Sequence, residues 1–243
     1  MGAERELVIE SGVLDLRWDA HVHTGFAAGR DSVGVVASAA DRAGLRALTF
    51  ADQIGAETTW LPAYADAVRR ARLRTELTLN IGAEVEVVRP DGWLAWPADL
   101  GQLEAVSVAV SRLPSAAGLI GAREVRELLA TGALTGEQLA ETVVEAMIKG
   151  IDRASRYVPT RLARPLSLLA RVGVNDEAIT TEVFQALVTA LRTTGTAVEV
   201  SEAWRSPSPA MVQRLREAGV ALLAASDARY ADDVGHWQYL RRI

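Results

Sequence analysis

Short apolar runs alternate with longer amphipathic stretches along nearly the whole chain. Residues 13–18 alternate with the period of two expected of a half-buried strand, which predicts a first strand leading into Asp19-Ala20-His21-Val22-His23-Thr24. Further strands are expected at 45–50, within 77–88 with a break at Gly82, within 103–111, and at 160–164, 196–201 and 220–225. Between them apolar positions recur at helical spacing, predicting helices over 31–43, 62–74, 176–193 and 209–218. Two more are expected within 122–156, separated by 131–136, and a last helix after Arg229 closes the chain. Thr135 followed three residues later by Gln138 has the spacing of a capping box. About seven strands separated by helices point to a parallel sheet. A single (β/α) barrel domain over 1–243 is the economical arrangement, with an open doubly wound sheet as the alternative.

Composition narrows the setting. The chain has 243 residues, 49% of them hydrophobic, enough for a sizeable core. The charged start Met1–Glu6 does not read as a signal peptide, and no apolar run approaches the ~20 residues of a membrane helix. There is no cysteine, so disulfides and thiolate metal sites are excluded and a cytoplasmic location is expected. A net charge of −5 disfavours long nucleic acids as partners, and any anionic partner needs a local basic patch.

Candidate chemistry falls at the strand ends, where parallel barrels carry their active sites. His21 and His23 are two of only three histidines in the chain, and at i and i+2 on a strand they point the same way. Later strand ends offer Asp52 and Gln53, Glu84 and Glu86, Ser111 and Arg112, Arg164, Glu199 and Glu202, then Asp227 and Arg229. Phe26, Trp60, Trp93, Trp96 and Trp204 follow predicted strands, where they either line a pocket or cap the core beneath loops. His236 has no assigned role.

In order along the chain, Asp19-Ala20-His21-Val22-His23-Thr24, Thr49-Phe50-Ala51-Asp52-Gln53, Gly82-Ala83-Glu84, Ala109-Val110-Ser111, Arg164-Pro165 and Ser226-Asp227-Ala228-Arg229 appear. This series resembles the motifs of the polymerase-and-histidinol-phosphatase (PHP) superfamily. The resemblance implies a distorted (β/α)7 barrel and metal-dependent hydrolysis of phosphate esters. Carried over by position, one metal is bound by His21, His23, Glu84 and Asp227, all present. A second metal would share Glu84 and need histidines at Ser111 and Arg164. A third would need them at Gln53, at Arg229 and within residues 25–29. Those histidines are missing, so the expectation is one divalent ion, manganese or zinc, with iron as a third choice.

One metal supplies Lewis-acid polarisation and a lowered pKa of coordinated water, but no two-metal clamp. Arg164 and Arg229 stand where metal ligands are lost, and are expected to hold a substrate phosphate or to neutralise Asp52 and Glu86. Arg112 and Arg205 would extend that patch, and Asp52 would position water or act as a base. The expected function is a phosphoesterase acting on a small phosphorylated or otherwise anionic substrate. Two alternatives are kept. One is a degenerate PHP domain that binds a phosphorylated ligand or is structural, and the other is amidohydrolase-type hydrolysis on a one-metal barrel.

Overall fold

The computed structural model describes residues 13–243, and the charged start Met1–Glu6 lies outside them. Seven parallel strands form the central sheet: β1 (Trp18–Val22), β2 (Ala47–Ile54), β3 (Thr78–Glu86), β4 (Ala105–Ala109), β7 (Thr160–Leu162), β8 (Ala197–Ser201) and β9 (Leu222–Ala225), hydrogen-bonded in that order. Every residue of β1, β4, β8 and β9 is buried, as a parallel sheet covered on both faces requires. The first and last strands meet just beyond their ends. His23 N donates to Ala228 O at 2.9 Å, Asp227 N donates to His21 O at 2.9 Å, and Val22 bridges Ala228. The result is a nearly closed seven-stranded barrel, the distorted (β/α)7 form expected from the sequence.

The helices are α1 (Val33–Arg42), α2 (Leu61–Arg72), α3 (Ala122–Ala130), α4 (Gly136–Ala154), α5 (Ser167–Arg171), α6 (Thr181–Thr194) and α7 (Pro209–Glu217). Ser32, Thr180 and Ser208 cap α1, α6 and α7 by accepting a backbone N–H three residues on. At α4, Thr135 and Gln138 form the reciprocal capping box that their spacing predicts. The helices bury apolar faces against the outside of the sheet, while Trp18, Ala20, Ala47, Ala197 and Leu223 form a separate cluster within the barrel. Arg161 stacks over Trp18, 5.2 Å from the ring centre, and donates to Ala20 O. This plug closes the end of the barrel opposite the histidines.

Several elements differ from the pattern-based reading. The first strand starts at Trp18 because residues 15–18 turn: Arg17 N donates to the Asp15 carboxylate and Trp18 N to Asp15 O. Gly82 does not break β3. A Cβ there would come within 2.6 Å of Phe50 O, so glycine permits the close approach of β3 to β2. A hairpin of β5 (Leu113–Ser115) and β6 (Gly118–Ile120), together with the short α5, was not expected. The expected last helix is absent, replaced by one-turn 3-10 segments Ala231–Asp233 and Leu240–Arg242. There the Glu202 carboxylate accepts Tyr239 N and Leu240 N, and Trp237 donates its indole N–H to Leu16 O. Backbone donors committed to distant partners cannot continue a helix.

Candidate metal centre

The centre forms where β1 and β9 end. The chain leaves β1 at His23 and folds back at once, with Gly29 N donating to Thr24 O at 2.9 Å. A Cβ on Gly29 would lie 2.6 Å from the His23 backbone, so only glycine lets the loop sit this close. Thr24 is held from β2, whose Asp52 carboxylate accepts Thr24 N at 2.8 Å and Thr24 Oγ1 at 2.5 Å. Asp19 braces the other side by accepting Ser226 N at 2.9 Å. Asp227, which follows β9, has a left-handed backbone (φ 56°), and Arg164 after β7 is likewise left-handed (φ 34°). Backbone strain of this kind concentrates at sites whose surroundings over-determine it.

His21, His23 and Asp227 are all buried and each bring a donor atom within 4.8 Å of the others. The two imidazoles meet edge to face, 4.9 Å between centres. His23 Nε2 lies 3.1 Å from Asp227 Oδ1. His21 is gripped from two sides: Nδ1 lies 2.7 Å from Glu199 Oε2 and Nε2 lies 3.1 Å from Glu84 Oε2. The second contact lacks hydrogen-bond alignment, leaving His21 Nε2 a buried nitrogen with no hydrogen-bond partner. His23 Nδ1 is likewise buried without a hydrogen-bond partner, and two imidazoles and a carboxylate with such nitrogens suit a divalent cation such as zinc or manganese.

Glu84 belongs to a second arrangement. The Arg164 guanidinium holds it in a two-pronged ion pair, at 2.5 Å to Oε2 and 2.6 Å to Oε1. The same guanidinium reaches Asp227 Oδ2 at 3.2 Å and Ser111 Oγ at 3.0 Å. Gln53 donates to Glu84 Oε1 at 2.9 Å. Trp204 lies between two cations, with Arg164 5.3 Å and Arg171 5.4 Å from its ring centre. Arg164 Nε is buried without a hydrogen-bond partner.

The charges follow from these contacts. Burial pushes the Glu84 carboxyl up, but the Arg164 guanidinium and His21 outweigh it and hold the group well below the ordinary range. Asp227 is similarly held at about 2: burial opposes, while the His23 hydrogen bond and the charges of His21 and Arg164 prevail. Burial alone would lower His21, yet Glu199, Glu84 and Asp227 raise it well above the usual imidazole range. Burial raises Asp52 despite its Thr24 bonds, and raises Asp19 to about 6.

The sequence-predicted residues thus divide. His21, His23, Glu84, Asp227 and Arg164 converge, with Ser111 and Gln53 at the edge. Asp52 sits beneath Thr24 and supports the loop. Glu86 accepts the backbone N–H groups of Ser111 and Arg112. The expectation that arginines neutralise Asp52 and Glu86 is corrected at the level of contacts: Arg164, from the strand end one place beyond β4 in the sheet, makes its ion pairs with Glu84 and Asp227, and its charge reaches Glu86 only at longer range. Arg112, Arg205 and Arg229 are exposed and make no side-chain ion pair among the described residues.

Of the aromatic residues, Trp204 touches the site. Phe26 and Trp60 pack with Tyr64 against the core, and Trp93 stacks on Arg153 of α4. His236 is exposed. Sequence reasoning noted Glu199 but gave it no task. A lone carboxylate between Val198 and Val200 of a fully buried strand was the available signal.

No family model matches the sequence, nor does any curated protein sequence. Solved structures do resemble the fold. A protein of Listeria monocytogenes assigned as the histidinol phosphatase HisK superposes with a TM-score of 0.68 at 14% identity, over 90% of this chain and 97% of that one. Histidinol phosphate phosphatase from Lactococcus lactis, whose crystals hold zinc, L-histidinol and phosphate, gives 0.64 at 14% identity, over 94% and 90%. The chain therefore shares the barrel fold of these two proteins. Among the described residues no helix is long and apolar enough to cross a membrane.

Proposed function

We propose that the protein is a metal-dependent hydrolase of the PHP type, acting on a phosphate ester with one divalent ion held by His21, His23 and Asp227, with Glu84 alongside. One observation carries this reading: the buried donors of those three residues lie within 4.8 Å of one another at the end of the barrel where active sites form. Bound there, a cation would polarise a phosphoryl oxygen and lower the pKa of a coordinated water. The Lactococcus lactis enzyme, which binds zinc, histidinol and phosphate on the same fold, supports a small phosphorylated substrate.

The chain's own residues suit that substrate. The Arg164 guanidinium lies against Glu84 and Ser111, the positions from which the resemblance would build a second metal site. It supplies a permanent positive charge there, fixed by Glu84 on one side and Trp204 on another. Arg112, Arg205 and Arg229, exposed on the loops after β4, β8 and β9, draw an anionic substrate to the mouth and contact its outer phosphoryl oxygens. Asp52, committed to Thr24, holds the loop after β1 in its present bonds and would act as a base only by releasing them.

A second reading is favoured by one observation. Both Glu84 oxygens already face Arg164, a closed ion pair that a binding domain without turnover would also tolerate. The test is metal analysis after reconstitution with zinc or manganese, then turnover of phosphomonoesters, L-histidinol phosphate among them, against His21→Ala. One bound metal with turnover lost in His21→Ala is expected. Metal without turnover favours the binding domain, and no metal overturns the hydrolase.

A further inference from the structure

Glu199 makes the closest contact to His21, yet it faces the nitrogen on the far side of the ring from the other donors. It comes from β8, two strands along the sheet from β4, whose Ser107 donates to its other oxygen at 2.5 Å. All three side chains are buried, and all three lie on strands rather than loops. We infer that Glu199 is the positioning residue of the centre, holding His21 through Nδ1 so that Nε2 presents its lone pair to the cation. The inference rests on the metal-centre reading above.

The chemistry runs in one direction. The 2.7 Å contact between Glu199 Oε2 and His21 Nδ1 is the geometry of a carboxylate accepting a ring N–H, and we place the hydrogen on Nδ1 accordingly. With Nδ1 engaged by Glu199, the ring nitrogen left to meet a cation is Nε2, which has no hydrogen-bond partner. A carboxylate behind a ligating histidine sets both the tautomer and the ring orientation, and raises the ligand's basicity. Ser107 completes the arrangement, since its bond to Oε1 keeps Oε2 aimed at the ring. The series Ser107–Glu199–His21 is not a nucleophile relay: the hydroxyl bonds the carboxylate rather than the imidazole, so no base stands ready to take its proton.

The experiment compares wild type, Glu199→Gln and Ser107→Ala, each verified as folded by circular dichroism. Zinc affinity is measured by calorimetry, and the His21 ring by 15N NMR of the zinc-loaded protein. Glu199→Gln is expected to weaken zinc binding about 10–100-fold, because its amide can turn an N–H toward Nδ1 and stabilise the wrong tautomer. Ser107→Ala should weaken it by a smaller factor, and wild-type His21 should show a protonated Nδ1 with zinc on Nε2. If wild type binds zinc and Glu199→Gln binds it equally well, the positioning role is overturned while the metal centre stands. If wild type binds no zinc, both fall together. Should Glu199→Gln not fold, the wild-type spectrum still decides, because zinc on Nδ1 or a protonated Nε2 overturns the inference.

Discussion

The two halves of the barrel mouth handle charge differently. On the β1–β9 side, His21, His23 and Asp227 form an open set, with imidazole nitrogens lacking hydrogen-bond partners. On the β3–β7 side, Glu84, Arg164, Ser111 and Gln53 form a closed one in which both oxygens of Glu84 are bonded. Asp227 belongs to both, giving Oδ1 to His23 and Oδ2 to Arg164. One half is arranged to receive a cation, and the other already contains one. A buried ion pair is not evidence of net stability, but breaking one leaves a stranded charge. The halves should therefore respond to different perturbations.

The largest effect is expected from Arg164→Ala in metal-free protein. With Glu84 buried and unpaired, stability to urea should fall by about 3–5 kcal/mol, and adding Glu84→Gln should recover most of it. A loss below about 1 kcal/mol would mean the closed half does not depend on the guanidinium. On the open half, His21→Ala should leave that ion pair intact. It should cost more zinc affinity than the about 10–100-fold expected when only an outer partner is lost. Equal loss in Arg164→Ala, measured by the same calorimetry, would erase the distinction between the halves.

Acid should probe the shared carboxylate. Asp227 titrates at about 2 against an ordinary 3.8, so its contribution is present above pH 3.8 and lost as pH falls toward 2. That contribution is about 2 kcal/mol, and denaturant unfolding of Asp227→Asn over the same range should lack the step. His21 has the opposite sign in metal-free protein: its contribution is present below pH 6.5 and lost as pH rises through its elevated folded value. The smallest effect is expected at Arg229. Exposed and without an ion pair among the described residues, Arg229→Ala should change stability by less than about 0.5 kcal/mol. It should weaken phosphate-ester binding only modestly, as a shift in KM rather than kcat.

Much of the scaffold was legible because its signals are local. The Thr135–Gln138 capping box and the apolar runs of β2, β4 and β9 each depend on neighbours within a few residues. The elements that failed depend on distant partners. A helix after Arg229 was expected from its pattern, but Glu202 takes the N–H groups of Tyr239 and Leu240 from 37 and 38 residues away. The first strand began five residues late because Asp15 turned the chain ahead of it.

By itself, the sequence determined the alternation of strands and helices and the list of polar residues at the strand ends, because period and capping are written in neighbouring side chains. Only the tertiary structure decided who meets whom within that list. Closure of the barrel brought Asp227 to His23 across 204 residues, Glu199 to His21 across 178 and Arg164 to Glu84 across 80. Strand order and register set those meetings, and a carboxylate in the sequence looks the same whether it will face a histidine, an arginine or a backbone N–H. What that carboxylate does follows from the partner the fold supplies.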